Sequence, residues 1–139
     1  MFFENQSQEQ KDEYQKFLKV VWSLSNLFSD SEIPYLYYRI AEKIFCRSFS
    51  ADDLSRSDVS VDARKDGLWV WLKTFLIWNK KTFQKVAEFN ADKNLYESLE
   101  WLNKIKKISE LRNERIDFTQ RLHWLYESIY HCVLRDINK

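Results

Sequence analysis

The chain has one glycine in 139 residues, Gly67, and it follows an aspartate. Asp-Gly is a strong signal for a tight hairpin turn, because both residues tolerate a positive φ. On one side, Val59, Val61 and Ala63 alternate with Asp58, Ser60 and Asp62, the period of two of a half-buried strand. On the other, Leu68 to Ile77 is rich in Val, Leu, Thr and Phe. Two antiparallel strands are therefore expected within Ser55 to Trp78. With Ala63 set opposite Leu68, Val61 faces Val70 and Val59 faces Leu72. One face of the hairpin is then wholly apolar, so burial favours that register.

The same register puts Asp58, Ser60 and Asp62 on the other face, against Lys73, Trp71 and Trp69, with Asp58 across from Lys73. Two carboxylates and an amine on one side of a hairpin suit metal-dependent phosphodiester hydrolysis. Carboxylate oxygens hold Mg²⁺, a hard cation. The cation polarises a phosphate and lowers the pKa of bound water, and a lysine beside it orients the water or offsets developing charge. The alternative is an exposed hairpin with a cross-strand Asp–Lys pair, worth at most about 1 kcal/mol.

Glycine is scarce where average usage of about 7 per cent predicts roughly ten, and tryptophan occurs six times, at Trp22, Trp69, Trp71, Trp78, Trp101 and Trp124. Several of these positions suit glycine. Translating UGA as tryptophan, where some bacterial lineages read glycine, gives this pattern. A protein genuinely rich in tryptophan gives it too, and the six codons decide between them.

Around the hairpin the periodicity is helical. Gln6 to Phe28 carries Tyr14, Phe17, Leu18, Val21 and Leu24 at three-four spacing. Pro34 suits the first turn of a second helix to about Phe49, with Ile40, Ala41, Ile44 and Phe45 on one arc. Glu42 sits at the edge of that arc, either aimed at the sheet as a metal ligand or paired with Arg39 or Lys43 at the rim. Ser50 to Ser57 reads as a polar connector in which Asp52 and Asp53 cap or solvate. Thr82 caps a short helix to about Asn90, with Gln84 on one face and Lys80, Lys81 and Lys85 forming a basic patch. Leu95 to about Glu114 is a further helix with Leu95, Leu99, Leu102, Ile105, Ile108 and Leu111 in a stripe, and Lys104, Lys106, Lys107, Arg112 and Arg115 give its other face, read as ordinary surface, a basic cast. Ser128 to Leu134 reads as a strand, and His123 and His131 as structural. A strand so near the last residue, with nothing following to complete a sheet, leads to the expectation that 1–139 is one domain, the N-terminal part of a longer protein.

With 22 basic and 21 acidic residues the net charge is +1. No global field draws the chain to nucleic acid, so such contacts must come from local patches. Two cysteines build no disulfide framework, and no signal peptide or 18-residue apolar run occurs, so a cytoplasmic setting without a membrane is expected.

A helix with Glu42, a hairpin with acids on its first strand and Lys73 on its second, then a helix bearing Gln84, resembles the core of the PD-(D/E)XK nuclease superfamily, which includes many type II restriction endonucleases. The segments PYLYYRIAEKIFC and LSRSDVSVDA…LKTF carry the likeness, over roughly residues 20–90. The resemblance implies an α+β fold with N-terminal helices, a central antiparallel hairpin in a small mixed sheet, and C-terminal helices. It implies Mg²⁺-dependent cleavage of DNA. Asp58, Asp62, Lys73 and Gln84 would be catalytic, and Asp58, Asp62 and Glu42 would hold the metal. A homodimer is a further expectation. The family's acid two residues before the lysine is replaced by Trp71, which would leave Asp62 or Glu42 to substitute. Two other classes stay open: a non-catalytic nucleic-acid-binding or regulatory domain on a degenerate nuclease fold, and a helical interaction module using the Leu95–Leu111 stripe.

Overall fold

In a computed structural model the chain is an α+β protein: three helices around a four-stranded mixed sheet. The structure describes all residues except 1, 26, 32, 34, 57–59, 78–88, 125–126 and 137–139, and the side chains of 90 and 123. Pro34, Asp58, Trp78, Gln84, the helix expected after Thr82 and its basic patch lie outside the described residues. The elements are α1 (Gln8–Ser25), α2 (Tyr38–Phe49), β1 (Asp52–Asp53), β2 (Ala63–Lys65), β3 (Leu68–Leu76), a 3-10 turn (Asn90–Leu95), α3 (Trp101–His123) and β4 (Glu127–Arg135). Among the described residues no helix is long and apolar enough to cross a membrane.

The hairpin forms, in a register two residues from the expected one. Lys65 pairs with Leu68, Arg64 with Trp69 and Ala63 with Val70. The loop is Asp66 and Gly67 alone, with φ of 51° and 79°. Two successive positive φ values make a turn whose twist matches the strands, so the tighter loop wins. A slip of two residues keeps Ala63, Val70 and Leu72 on one face, but Val61, expected with them, packs with Trp69 on the other. The slip also replaces the pairing from which Asp58 was placed opposite Lys73.

β3 is the central strand. Val70 and Leu72 point to α1 and α2, where Tyr14, Ile44, Phe45, Phe49 and Ala63 complete the larger core. Trp69 points the other way and packs with Leu54 and Val61, beside Trp71 and Ile116 of α3. The connector before β2 is not wholly polar loop. Asp52 and Asp53 form an edge strand on Arg64 and Ala63, secured by the Arg64–Asp52 ion pair at 2.6 Å. β4 runs parallel to β3 over nine residue pairs, Leu68–Glu127 to Leu76–Arg135. The strand expected at Ser128 to Leu134 is thus present, with β3 as its neighbour. Parallel neighbours need a long crossover, and α3 lies within it.

α3 starts at Trp101, later than the periodicity predicts, and the apolar stripe is exposed from Leu95 to Ile105. Leu102 is 77 % exposed, and Leu95, Leu99 and Ile105 are also open. The helix overhangs the sheet at its N-terminal half. Its inward residues are farther on, at Ile116 and Thr119, whose Oγ1 accepts the Ser60 N–H at 3.1 Å.

Trp124 caps α3 in the left-handed region, φ 52° and ψ 50°, and is 79 % exposed. This is the place where helices end on glycine, because a Cβ there costs roughly 1–2 kcal/mol. Trp124→Gly is expected to stabilise the fold by about 1 kcal/mol, read as a higher urea midpoint, with no comparable gain from Trp124→Ala.

His131 is structural. Its Nε2 is hydrogen-bonded to the Tyr14 hydroxyl at 2.7 Å, and its ring lies 4.8 Å from that of Phe45. Burial holds the imidazole below its ordinary pKa. The unfolded chain, titrating near about 6.5, then binds the proton more readily than the folded one. This contribution to stability is complete above about pH 6.5 and drains as the pH falls from there through the lower folded value. The urea midpoint of the wild type should therefore drop relative to that of His131→Gln between about pH 7 and pH 5, and hold a constant offset above about pH 7.

Candidate functional site

The site grows from the place where β2 stops. β3 continues beyond Val70, so the N–H of Leu72 has no β2 carbonyl opposite it. The carboxylate of Asp62 fills that place, its Oδ2 accepting the Leu72 N–H at 2.7 Å. The Asp62 N–H in turn donates to the carbonyl of Val70 at 3.1 Å, although Ala63 is the residue registered on Val70. Two residues facing one is the count of a β-bulge, a device that re-aims a side chain. Asp62 is thereby held by two backbone contacts to β3, while Oδ1 has no hydrogen-bond partner among the described residues.

Asp62 and Lys73 line the same cavity, of about 140 Å³, between the sheet and α3. Ser60 and Trp71 line it from the sheet, Arg112, Arg115 and Ile116 from α3, and Phe89 and Tyr130 close it. Burial pushes the Asp62 carboxyl above the usual carboxylate range, and the Leu72 N–H and the Lys73 charge oppose that push. Trp71 is fixed as a wall: its Nε1 donates to the Ser60 carbonyl, and its ring stacks on Tyr130 at 5.1 Å.

Glu42 lies behind Asp62 on α2. It is only 5 % exposed, and its Oε2 is buried without a hydrogen-bond partner; the nearest cation is the Arg39 guanidinium, at 3.7 Å. Burial first, and the Asp62 charge second, raise its pKa. A buried carboxylate oxygen left without a donor is costly. Asp53 is different. Burial lifts its pKa, but Lys43 and Ser55 outweigh that and hold it down to about 2. As expected of Asp52 and Asp53, its carboxylate is spent on local structure.

Among the described residues no group of three or more His, Cys, Asp or Glu side chains could hold a metal ion. The Asp62 charge raises the pKa of Glu42, and Asp53, itself already paired with Lys43, raises both. Mg²⁺ asks for no more from protein: it keeps several waters and commonly takes one or two carboxylates plus substrate phosphates. Asp62 and Glu42, whose buried Oε2 has no hydrogen bond and only the Arg39 guanidinium at 3.7 Å, are the carboxylates that such an ion would take.

Of the residues picked out from the sequence, then, the structure brings Asp62 and Lys73 together in one cavity, whereas Glu42 is buried on α2 beside Arg39 and does not line it. Asp58 and Gln84 lie outside the described residues. The sequence reading missed Arg112 and Arg115, assigned to a solvated face, and Tyr130. The signal was available in Ile116, whose inward phase on α3 carries Arg112 with it four residues earlier. No protein-family model, no curated protein and no solved structure matches this chain.

Proposed function

We propose that this chain is a Mg²⁺-dependent DNA endonuclease that hydrolyses phosphodiester bonds at the Asp62–Lys73 cavity. The observation that carries the reading is the bulge. It turns Asp62 into a strand substitute at Leu72 and leaves its carboxylate in one cavity with Lys73. Asp62 and Glu42 would hold the ion, with Asp58 as the third acid implied by the nuclease resemblance. Mg²⁺, when bound, lowers the pKa of coordinated water and polarises the scissile phosphate. Lys73 orients the attacking water and offsets charge on the phosphate oxygens. Gln84 would position the water or a phosphate. The two free cysteines, Cys46 and Cys132, agree with a cytoplasmic setting.

A second reading rests on Trp71. Its indole stands where the nuclease superfamily carries an acid and walls the cavity between Asp62 and Lys73. A domain that binds nucleic acid without cutting it would tolerate that wall. Cleavage of supercoiled plasmid with Mg²⁺ or with EDTA, set beside Lys73→Ala, separates the two. Lysine-dependent cleavage in Mg²⁺ alone supports the nuclease, and binding without cleavage supports the second reading.

A further inference from the structure

We infer that the α3 wall of the cavity is a phosphate-binding site, in which Arg112 and Arg115 grip the backbone of a nucleic-acid strand and seat it against Lys73. This inference rests on the nuclease reading and adds two residues to it. Three cations, Lys73, Arg112 and Arg115, line the cavity against a single carboxylate, Asp62. Among the described residues none of the three forms an ion pair, whereas five other basic side chains do. Excess positive charge in a small concave space between protein walls raises the local concentration of anions.

The two guanidiniums are also pre-positioned. Arg115 lies over the Phe89 ring, 4.7 Å from its centroid. Arg112 donates from Nη2 to the Tyr130 hydroxyl at 2.9 Å. Each contact fixes the plane of the fork while leaving other N–H donors, and a planar fork matches the two oxygens of a phosphate. Their spacing of three puts both on one face of α3, and Ile116 and the Thr119–Ser60 hydrogen bond tie that face to the sheet. A volume of about 140 Å³ suits one phosphate group with some of its water. The contact inferred is to the backbone, and so indifferent to sequence.

The test is binding in EDTA, where no metal-dependent cleavage interferes. A fluorescein-labelled DNA duplex is titrated by anisotropy against wild type, Arg112→Gln, Arg115→Gln and the double variant, over a range of salt. Each single variant is expected to raise Kd by roughly tenfold, the worth of one charge-assisted hydrogen bond. The double variant should flatten the log–log salt slope by about two, equally for unrelated sequences. Arg115→Lys keeps the charge and should keep the slope. Inorganic phosphate at millimolar concentration should compete on wild type and lose its effect on the double variant. Matching urea midpoints for wild type and variants establish that the fold is kept.

Unchanged Kd and slope in the double variant would overturn the site, as would phosphate competing equally against both proteins or a wild type that binds neither probe. The outcomes also separate this site from the nuclease reading. A double variant that loses DNA while wild type never cuts plasmid keeps the phosphate site and removes the enzyme. A wild type that cuts plasmid while the double variant binds normally does the reverse.

Discussion

Phe45→Ala is expected to cost about 3–5 kcal/mol, the range for emptying a fully buried aromatic site. Phe45 has no exposed surface. It stands at the centre of the larger core, with rings at 5.0 Å (Phe49), 5.5 Å (Phe2), 6.4 Å (Tyr14) and 4.8 Å (His131). These neighbours come from the N-terminal segment, α1, α2 and β4. Truncation therefore opens a cavity that no single element can collapse to fill. Domains of this size are stable by about 5–15 kcal/mol, so the variant should lose a fifth or more of its margin. A urea titration reads this as a large fall in midpoint at unchanged slope. A loss under 1 kcal/mol would mean that α1 and α2 do not pack on the sheet as described.

The second large effect is chemical. Lys73→Ala should reduce Mg²⁺-dependent plasmid cleavage by about 10²–10³-fold, the usual consequence of removing one preorganised stabiliser of transition-state charge. Lys73 is half-buried and borders the cavity opposite α3, so its removal leaves both cores intact. The urea midpoint should move little. DNA binding in EDTA should weaken only by one phosphate contact, so the loss falls on turnover rather than on affinity. A fall in binding as large as the fall in cleavage would instead make Lys73 a docking residue.

Much of this architecture can be read from particular residues. Asp66-Gly67 announces the hairpin because few other pairs accept two positive φ values. The alternation through Val70 and Leu72 survives a two-residue error in register because faces repeat with period two. Glu42, at the margin of an apolar arc, is where the structure puts a buried acid. The failures have physical causes too. β1 is two residues long and acidic, and only its pairing with Arg64 makes it a strand. The Leu95–Leu111 stripe has helical period, but period carries no information about where the sheet ends, and α3 overhangs it. The bulge at Asp62 is a property of β3 outrunning β2, which no local pattern in either strand records. Arg112 and Arg115 read as surface for the same reason: the cavity exists only once α3 lies across the sheet. Among the described tryptophans, Trp124 alone occupies a backbone conformation that favours glycine, whereas Trp69 is buried in a core.

Asp62, Glu42 and Lys73 are proposed to act as one metal-dependent centre. Its most direct measurement is the single-turnover rate of supercoiled-plasmid nicking as Mg²⁺ is titrated, for wild type and Lys73→Ala. Nicking should rise with Mg²⁺, vanish in EDTA, and fall by at least about 10²-fold in the variant. A folded, DNA-binding wild type that leaves the plasmid intact at every Mg²⁺ concentration, or a variant that cuts at the wild-type rate, would contradict it.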